Sequence, residues 1–143
     1  MKPSTFLRIA SILTFLYFAG HTSGAPWTPD ESAGAASVIT AMKGHSFDVL
    51  GSARTYWDFY FGFGIIISLF LLLIAVVLWQ LASLAKTDAA RVRPIVAVIL
   101  LAFIVNTVLA WEYFFIIPLV NSAAISVCLA IAFATAGRSK VTQ

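Results

Sequence analysis

The sequence has very little charge. Only 10% of its 143 residues are Asp, Glu, Lys or Arg, whereas an ordinary soluble domain carries about 25%. Hydrophobic residues make up 61% of the chain. A water-soluble protein of this size could not bury so much apolar surface, so the composition argues against a soluble domain and predicts an integral membrane protein.

The chain is also poor in groups that bind cofactors. Its single cysteine, Cys128, excludes an internal disulfide framework and a multi-cysteine metal site. Because Cys128 lies in an apolar run, we expect it to act as a small buried hydrophobic residue. The sequence has no phosphate-binding loop, nucleophile motif, haem-attachment motif or basic nucleic-acid patch. These absences predict no cofactor and no nucleic-acid partner.

Uncharged stretches separate the few charges, and each stretch approaches the roughly 20 residues that a helix needs to cross a bilayer. We predict an all-α, integral membrane four-helix bundle that forms a single domain over residues 1–143. The predicted spans are about 5–24, 53–84, 94–113 and 116–137. A tight turn around 112–118 joins the last two spans into an antiparallel helical hairpin.

The distribution of Lys and Arg predicts the orientation of the bundle. All but two of the nine basic residues fall on one side of a four-span arrangement: Lys2, Arg8, Lys86, Arg91, Arg93, Arg138 and Lys140. Lys43 and Arg54 fall on the other side. Basic residues are enriched in cytoplasmic loops, so both termini are predicted to be cytoplasmic. We attribute the cytoplasmic basic residues to topology and not to a binding patch.

The first span has an alternative interpretation. Lys2 and Arg8, followed by an apolar run, also resemble a secretory signal peptide. However, the run is long, and Pro26 directly after residues 23–25 makes a poor cleavage position. The sequence favours an uncleaved helix, and cleavage would leave three spans in the same orientation.

The segment 25–52 is the longest one outside the predicted spans. Thr28 and Glu31 have the spacing of a capping box, and Pro29 stands at the first helical position. This pattern predicts a short extracytoplasmic helix at about 29–43, which Gly44 would end.

Small residues predict how the spans pack. Lipid is as apolar as the side chains, so helices associate where small residues let their backbones approach closely. Two stripes at helical spacing are the predicted packing seams: Gly64, Ser68, Ala75 and Ala82 in the second span, and Ala123, Ser126, Ala130, Ala134 and Gly137 in the fourth.

Polar side chains gather at the outer level of the predicted bundle. Such groups are rare at membrane depth and are candidates for function. They predict a polar cavity open to the outer side, formed by His21, His45, Asp48, Arg54, Asp58, Asn106, Glu112 and Asn121. A structural interpretation stays open, in which Arg54 pairs with Asp58 and the two asparagines link helices.

Two of these polar residues also have a simple structural explanation. Glu112 could simply cap a turn, and His21 could hydrogen-bond a carbonyl group. Imidazole and carboxylate groups are ligands for zinc, but His21, His45, Asp58 and Glu112 lack the tight spacing of a metal site. No metal is therefore predicted.

Residues 45–64 form the most distinctive stretch of the chain. The motif Trp-Asp-Phe-Tyr-x-Gly-Phe-Gly at 57–64, together with the four-span layout, resembles a family of small uncharacterised bacterial membrane proteins. The resemblance covers nearly the whole chain. It implies a bacterial inner (cytoplasmic) membrane, but it implies no activity.

A more distant likeness is to the sterol-isomerase and emopamil-binding group (EXPERA domains). That group has a His at the end of the first span and a Gly-Ser-Arg-Tyr-Asp-Phe-like entry to the second. The similar residues here are His21, Gly51, Ser52, Arg54, Tyr56, Asp58 and Phe59. Two acids of the group are missing, because Thr22 follows His21 and no charge lies between Asp58 and Lys86. The resemblance implies a lipid pocket more than a reaction.

Two functions follow from these features. The leading hypothesis is a non-enzymatic membrane protein that binds membrane lipid, a protein partner or a second copy of itself. The alternative is a membrane enzyme or carrier for an amphipathic lipid or isoprenoid in an outer-leaflet cavity, with His21, Asp58 and Glu112 as acid–base groups. An ion pathway is disfavoured, because the inner half of the bundle has few polar residues.

Overall fold

The protein is described by a computed structural model that covers residues 2–24 and 32–138. In chain order its elements are α1 (Pro3–Gly24), α2 (Ala33–Gly44), β1 (Ser46–Val49), β2 (Ser52–Thr55), α3 (Tyr56–Leu84), α4 (Ala89–Tyr113) and α5 (Ile116–Arg138). Among the described residues, four helices are long and apolar enough to cross a membrane, namely α1, α3, α4 and α5. The chain is therefore a multi-pass membrane protein, as its composition predicts.

Helix α2 begins later than the sequence predicts. Ser32 is its N-cap, and the Ser32 hydroxyl accepts a hydrogen bond from the Ala35 N–H at 3.3 Å. The capping box predicted at 28–31 lies outside the described residues. The helix ends at Gly44, where the sequence predicts its end, and the N–H of His45 donates to the Ala41 carbonyl.

A β-hairpin between α2 and α3 was not predicted, although the described residues are otherwise mostly helical. Strands β1 and β2 are antiparallel, with Ser46 opposite Thr55 and Val49 opposite Ser52. Leu50 and Gly51 connect them with φ angles of 53° and 83°, which is typical of a two-residue type I′ turn. The Asp48 carboxylate accepts a hydrogen bond from the Gly51 N–H at 3.0 Å. Residues 53–55, predicted to open the second span, therefore belong to a strand.

The second span begins at Tyr56 because Thr55 and Asp58 form a reciprocal capping box. The Thr55 N–H donates to Asp58 Oδ2 at 2.8 Å, and the Asp58 N–H donates to Thr55 Oγ1 at 3.2 Å. These bonds satisfy N–H groups that have no partner within the helix. They also couple the end of β2 directly to the start of α3.

Helix α4 begins at Ala89 rather than at the predicted residue 94. Its N-cap is Asp88, whose carboxylate accepts a hydrogen bond from the Arg91 N–H at 3.2 Å. Pro94 lies inside the helix. Because Pro94 comes early in α4, its missing N–H removes one hydrogen bond near the helix start without ending the helix.

Contacts between Cα atoms group the chain into two compact units. We call Met1–Tyr17 with Leu71–Gln143 the core unit, and Phe18–Phe70 the hairpin unit. Helices α1 and α3 each supply residues to both units. The single domain inferred from the sequence stays a prediction.

The core unit contains one cluster of buried apolar side chains, drawn from α1, α3, α4 and α5. Its members are Leu7, Ala10, Leu78, Leu81, Ala82, Ala85, Val92, Val96, Ile99, Phe103, Ile125, Leu129 and Ala132. Even so, only 22–28% of each candidate span is buried inside the protein. Lipid or another chain must cover the remaining apolar surface.

The small residues predicted as a seam in α3 are mostly buried. Ser68, Ala75 and Ala82 are buried, and Gly64 is half-buried. Ala75 also contributes a backbone contact, because the Ser11 hydroxyl of α1 donates to its carbonyl at 2.7 Å. Ser11 and Ala75 thus join α1 to α3 within the core unit, and the packing seam itself stays a prediction.

The buried face of α5 differs from its predicted stripe. Ala130 and Ala134 are exposed, while Ala123, Ser126 and Gly137 are half-buried. The buried residues are Ser122, Ile125, Leu129, Ala132 and Ala136. This face is rotated from the predicted stripe by one residue, or about 100°. The rotation places the larger Ile125 and Leu129 side chains in the core, where they fill more volume than alanines would.

Candidate functional site

Two acids of the predicted outer cavity are bonded to nearby backbone. Asp48 holds the hairpin turn, and Asp58 caps α3. The predicted Arg54–Asp58 ion pair does not form, since the only ion pair found among the described residues joins Arg91 and Asp88 at 3.0 Å. The Arg54 guanidinium donates instead to the Ala53 carbonyl at 2.7 Å. Asp58 therefore has a structural role as a helix cap and not as the partner of Arg54.

His45 belongs to an aromatic cluster that packs β1 against the start of α3. Its ring stacks on Tyr56 with 5.7 Å between ring centroids, and Phe47 lies 4.9 Å from Tyr56 and 5.9 Å from Phe59. Nearby, Lys43 Nζ lies 4.6 Å from the centroid of the Trp57 ring. Such a mixture of aromatic and cationic groups is typical of a membrane–water interface.

His21 contacts a hydroxyl group rather than a carbonyl. Its Nδ1 lies 3.1 Å from Ser68 Oγ, and the Thr22 hydroxyl donates to the same oxygen at 2.9 Å. Ser68 is buried, so these bonds satisfy a polar group at membrane depth. A nucleophile with its base would have the same His–Ser distance. The sequence did not reveal this contact, because 47 residues separate the two side chains.

Asn106 takes part in a polar network between α4 and α5. Its Nδ2 donates to Ser122 Oγ at 3.0 Å, and Thr107 Oγ1 lies 3.0 Å from the same oxygen. Ser122 is fully buried and donates in turn to the Phe103 carbonyl at 3.2 Å. The network agrees with the structural interpretation, in which polar side chains link helices.

Asn121 and Glu112, the other two predicted cavity residues of the core unit, have different surroundings. Asn121 Nδ2 donates to the Leu13 carbonyl at 3.5 Å and so joins α5 to α1. Glu112 is exposed at the end of α4. The eight predicted cavity residues divide between the two units, so the outer cavity stays a prediction. Across the described part of the chain, no three His, Cys, Asp or Glu side chains are placed to hold a metal ion.

A cavity of about 660 Å³ lies in the core unit, beside the N-terminal end of α1. Three cationic residues line it, namely Lys2, Arg8 and Lys86. Ile9 and Ile12 form an apolar part of its wall, and their side chains are 40% and 52% exposed. Within the part of the chain that the structure describes, no acidic residue lines the cavity. The cavity thus combines positive charge with apolar surface.

Arg8 is the cavity residue with the most unusual environment. Its Cζ lies 4.7 Å from the centroid of the Trp79 ring, which gives a cation–π contact. Its Nε is buried and has no hydrogen-bond partner among the described residues. Buried polar atoms nearly always have a partner, so this guanidinium nitrogen beside the cavity is a candidate donor to a ligand.

The starts of two helices also line the cavity, and the Asp88 carboxylate caps the start of α4. Both Pro3, which begins α1, and Ala89, which begins α4, line it. The start of a helix carries unpaired N–H groups and a partial positive charge. The carbonyl groups at the end of α3 are occupied, since Leu81 and Leu84 accept hydrogen bonds from the N–H groups of the following turn.

Comparisons with protein-family models, with curated proteins and with solved structures gave no match. The likenesses to the bacterial membrane-protein family and to EXPERA domains therefore stay predictions. The cationic cavity was not predicted from the sequence, where Lys2, Arg8 and Lys86 were attributed to topology. One signal was present, because Arg8 lies inside the first span, where an ionisable residue is a candidate for function.

Proposed function

We propose that the protein is a non-enzymatic, multi-pass protein of the bacterial inner membrane that functions by binding membrane lipid. One observation carries the proposal, namely the cavity lined by Lys2, Arg8 and Lys86 with Ile9 and Ile12 in its wall. A lipid offers the matching combination of a polar headgroup and an apolar chain. A small inorganic anion would make no use of the isoleucine side chains.

The bonding of Asp58, one of the three predicted acid–base groups, supports a non-enzymatic role. Asp58 accepts a hydrogen bond from the Thr55 N–H and caps α3, and Asp48 of the predicted cavity accepts one from the Gly51 N–H. General acid–base catalysis needs a group that can reach a substrate and change its protonation state. A carboxylate that caps a helix serves that helix best when it stays ionised.

The proposal includes the orientation of the protein in the membrane. The basic residues near the ends of α1, α3 and α4 favour a four-helix bundle with both termini in the cytoplasm. In that orientation the cationic cavity lies in the cytoplasmic leaflet, while α2 and the β-hairpin lie on the outer side. The aromatic cluster around Tyr56 would then mark the outer membrane–water interface.

Lipid retention tests the proposal. The protein is extracted into polymer nanodiscs, transferred to a mild detergent, and analysed by native mass spectrometry with lipid identification. We expect one or more phospholipids to stay bound through purification at a fixed ratio to protein. Recovery of folded protein without lipid, and without a protein partner, would contradict a binding role.

A second candidate function is a membrane enzyme or carrier for an amphipathic lipid or isoprenoid. It is favoured by the 3.1 Å distance between His21 Nδ1 and Ser68 Oγ, which is the spacing of an activated hydroxyl nucleophile. A fluorophosphonate probe distinguishes the two functions. Labelling that Ser68→Ala abolishes and Ser126→Ala preserves would support the enzyme, whereas an unlabelled protein agrees with our proposal.

A further inference from the structure

We propose that the cavity beside α1 binds the phosphate group of an anionic phospholipid, with Lys2, Arg8 and Lys86 around the phosphate and Ile9 and Ile12 along an acyl chain. This inference rests on the proposed lipid-binding function, and it names the ligand class and the residues that recognise it. It also assigns a ligand to Arg8 Nε, which is buried and has no hydrogen-bond partner in residues 2–24 and 32–138.

Charge is the first argument for an anionic headgroup. Lys2, Arg8 and Lys86 line the cavity, and none of the described acidic residues does. The acid nearest in sequence to Lys86 is Asp88, which is occupied by Arg91 through a 3.0 Å ion pair and a backbone hydrogen bond. A choline or ethanolamine group would bring a further positive charge among these cations. A headgroup with net negative charge avoids that repulsion.

The geometry of Arg8 is the second argument. Trp79 covers one face of the guanidinium group, 4.7 Å from its Cζ. The N–H bonds of a guanidinium lie in its plane, and a cation–π contact with an aromatic ring uses none of these donors. Nε and one terminal nitrogen together form the fork that binds two phosphate oxygens. The ring thus holds the side chain beside the cavity, where Nε has no hydrogen-bond partner among the described residues.

Position along α1 is the third argument. Arg8 lies five residues after Pro3, or about 7.5 Å along the helix, and Ile12 lies about 6 Å further. The cavity therefore changes from cationic at the helix end to apolar deeper in the span. A phospholipid has the same order, with phosphate at the interface and acyl chains below it. A free phosphate ion would leave the isoleucine wall unused.

Binding to defined lipids tests the inference. Wild-type protein is placed in phosphatidylcholine nanodiscs with and without phosphatidylglycerol, and lipid binding is measured by native mass spectrometry together with the melting temperature. The variants are Arg8→Gln and Lys86→Gln. The matched control is Arg93→Gln, since Arg93 also stacks on an aromatic ring, 4.2 Å from Phe133, but does not line the cavity.

We expect phosphatidylglycerol to bind wild-type protein and to raise its melting temperature, and phosphatidylcholine to do neither to the same extent. Each cavity variant should lose about tenfold in phosphatidylglycerol affinity, the effect of one charged hydrogen bond. Arg93→Gln should keep the wild-type affinity. Because Lys86 is exposed, Lys86→Gln keeps the test valid even if Arg8→Gln folds poorly.

Three outcomes would overturn the inference. Equal binding of phosphatidylcholine and phosphatidylglycerol would refute selectivity for an anionic headgroup while leaving a lipid-binding function in place. An equal loss of affinity in Arg93→Gln would refute the assignment to this cavity. Inorganic phosphate that reproduces the full thermal shift in detergent would identify a free anion as the ligand. Failure of the proposed function itself would differ, because no lipid would then bind at all.

Discussion

Ser122 shows how a single hydroxyl group joins two spans. It is fully buried, accepts a hydrogen bond from Asn106, and donates one to the Phe103 carbonyl. In the hydrocarbon core no water can replace these partners. We therefore expect Ser122→Ala to lower the free energy of unfolding by about 1 kcal/mol, since interhelical hydrogen bonds in membranes contribute about 0.6 kcal/mol on average and up to about 1.7.

Thermal unfolding in detergent measures the effect of Ser122→Ala. Ser126→Ala is the matched control, because the Ser126 hydroxyl bonds only to the Ser122 carbonyl of its own helix. The control should unfold close to the wild-type temperature. If both variants lose the same stability, the α4–α5 network contributes nothing beyond the removal of a hydroxyl group.

Leu50 has a backbone conformation that its side chain disfavours. Its φ angle is 53°, and its side chain is fully exposed, so it makes no packing contact to offset the strain. Asn adopts this left-handed conformation more readily in a type I′ turn. We expect Leu50→Asn to stabilise the hairpin by about 0.5–1 kcal/mol. Slower hydrogen exchange of the β1 and β2 amides would show this, and faster exchange would contradict it.

At the scale of whole elements, α5 offers a test of which face packs in the core. Ala132 is buried, with 1% of its surface exposed, and Ala130 is exposed. Inserting a larger side chain into a packed core costs about 1–3 kcal/mol. We expect Ala132→Leu to lower the melting temperature and Ala130→Leu to leave it nearly unchanged. The reverse result would restore the stripe of small residues as the packing face.

The spans were predictable because their ends are marked by charge and by turn residues. Leu84 and Tyr113 end their helices where the sequence predicts, close to Lys86 and Glu112. The hairpin was not predicted, although the residues that form its turn and end lie close together in the sequence. Asp48 and Gly51 set the turn, and Thr55 caps α3. Strands of four residues next to a long apolar run leave little periodicity to detect.

The candidate site was less predictable than the spans for a physical reason. Sequence position places Lys2, Arg8 and Lys86 near one membrane surface, but it does not show which side chains turn toward a common cavity. That depends on the rotation of α1 and on its contacts with Trp79. The rotation of α5 escaped prediction for the same reason, since nearly every face of that helix is apolar.

At the scale of the whole molecule, orientation decides which leaflet supplies a lipid to the cavity. The proposed orientation puts the hairpin outside and the α3–α4 turn in the cytoplasm. Because Cys128 is the only cysteine, Cys128→Ala gives a background for single-cysteine labelling. Ser46→Cys reports on the hairpin and Thr87→Cys on the turn, and both positions are exposed.

A membrane-impermeant maleimide applied to spheroplasts should label Ser46→Cys directly and Thr87→Cys only after lysis. Thr87 directly follows Lys86, which lines the cavity, so its accessibility also assigns the cavity to a leaflet. Labelling of Thr87→Cys before lysis would place the cationic residues on the outer side. It would contradict the positive-inside orientation. Any lipid in the cavity would then come from the outer leaflet, and the same phosphate site would meet a different set of headgroups.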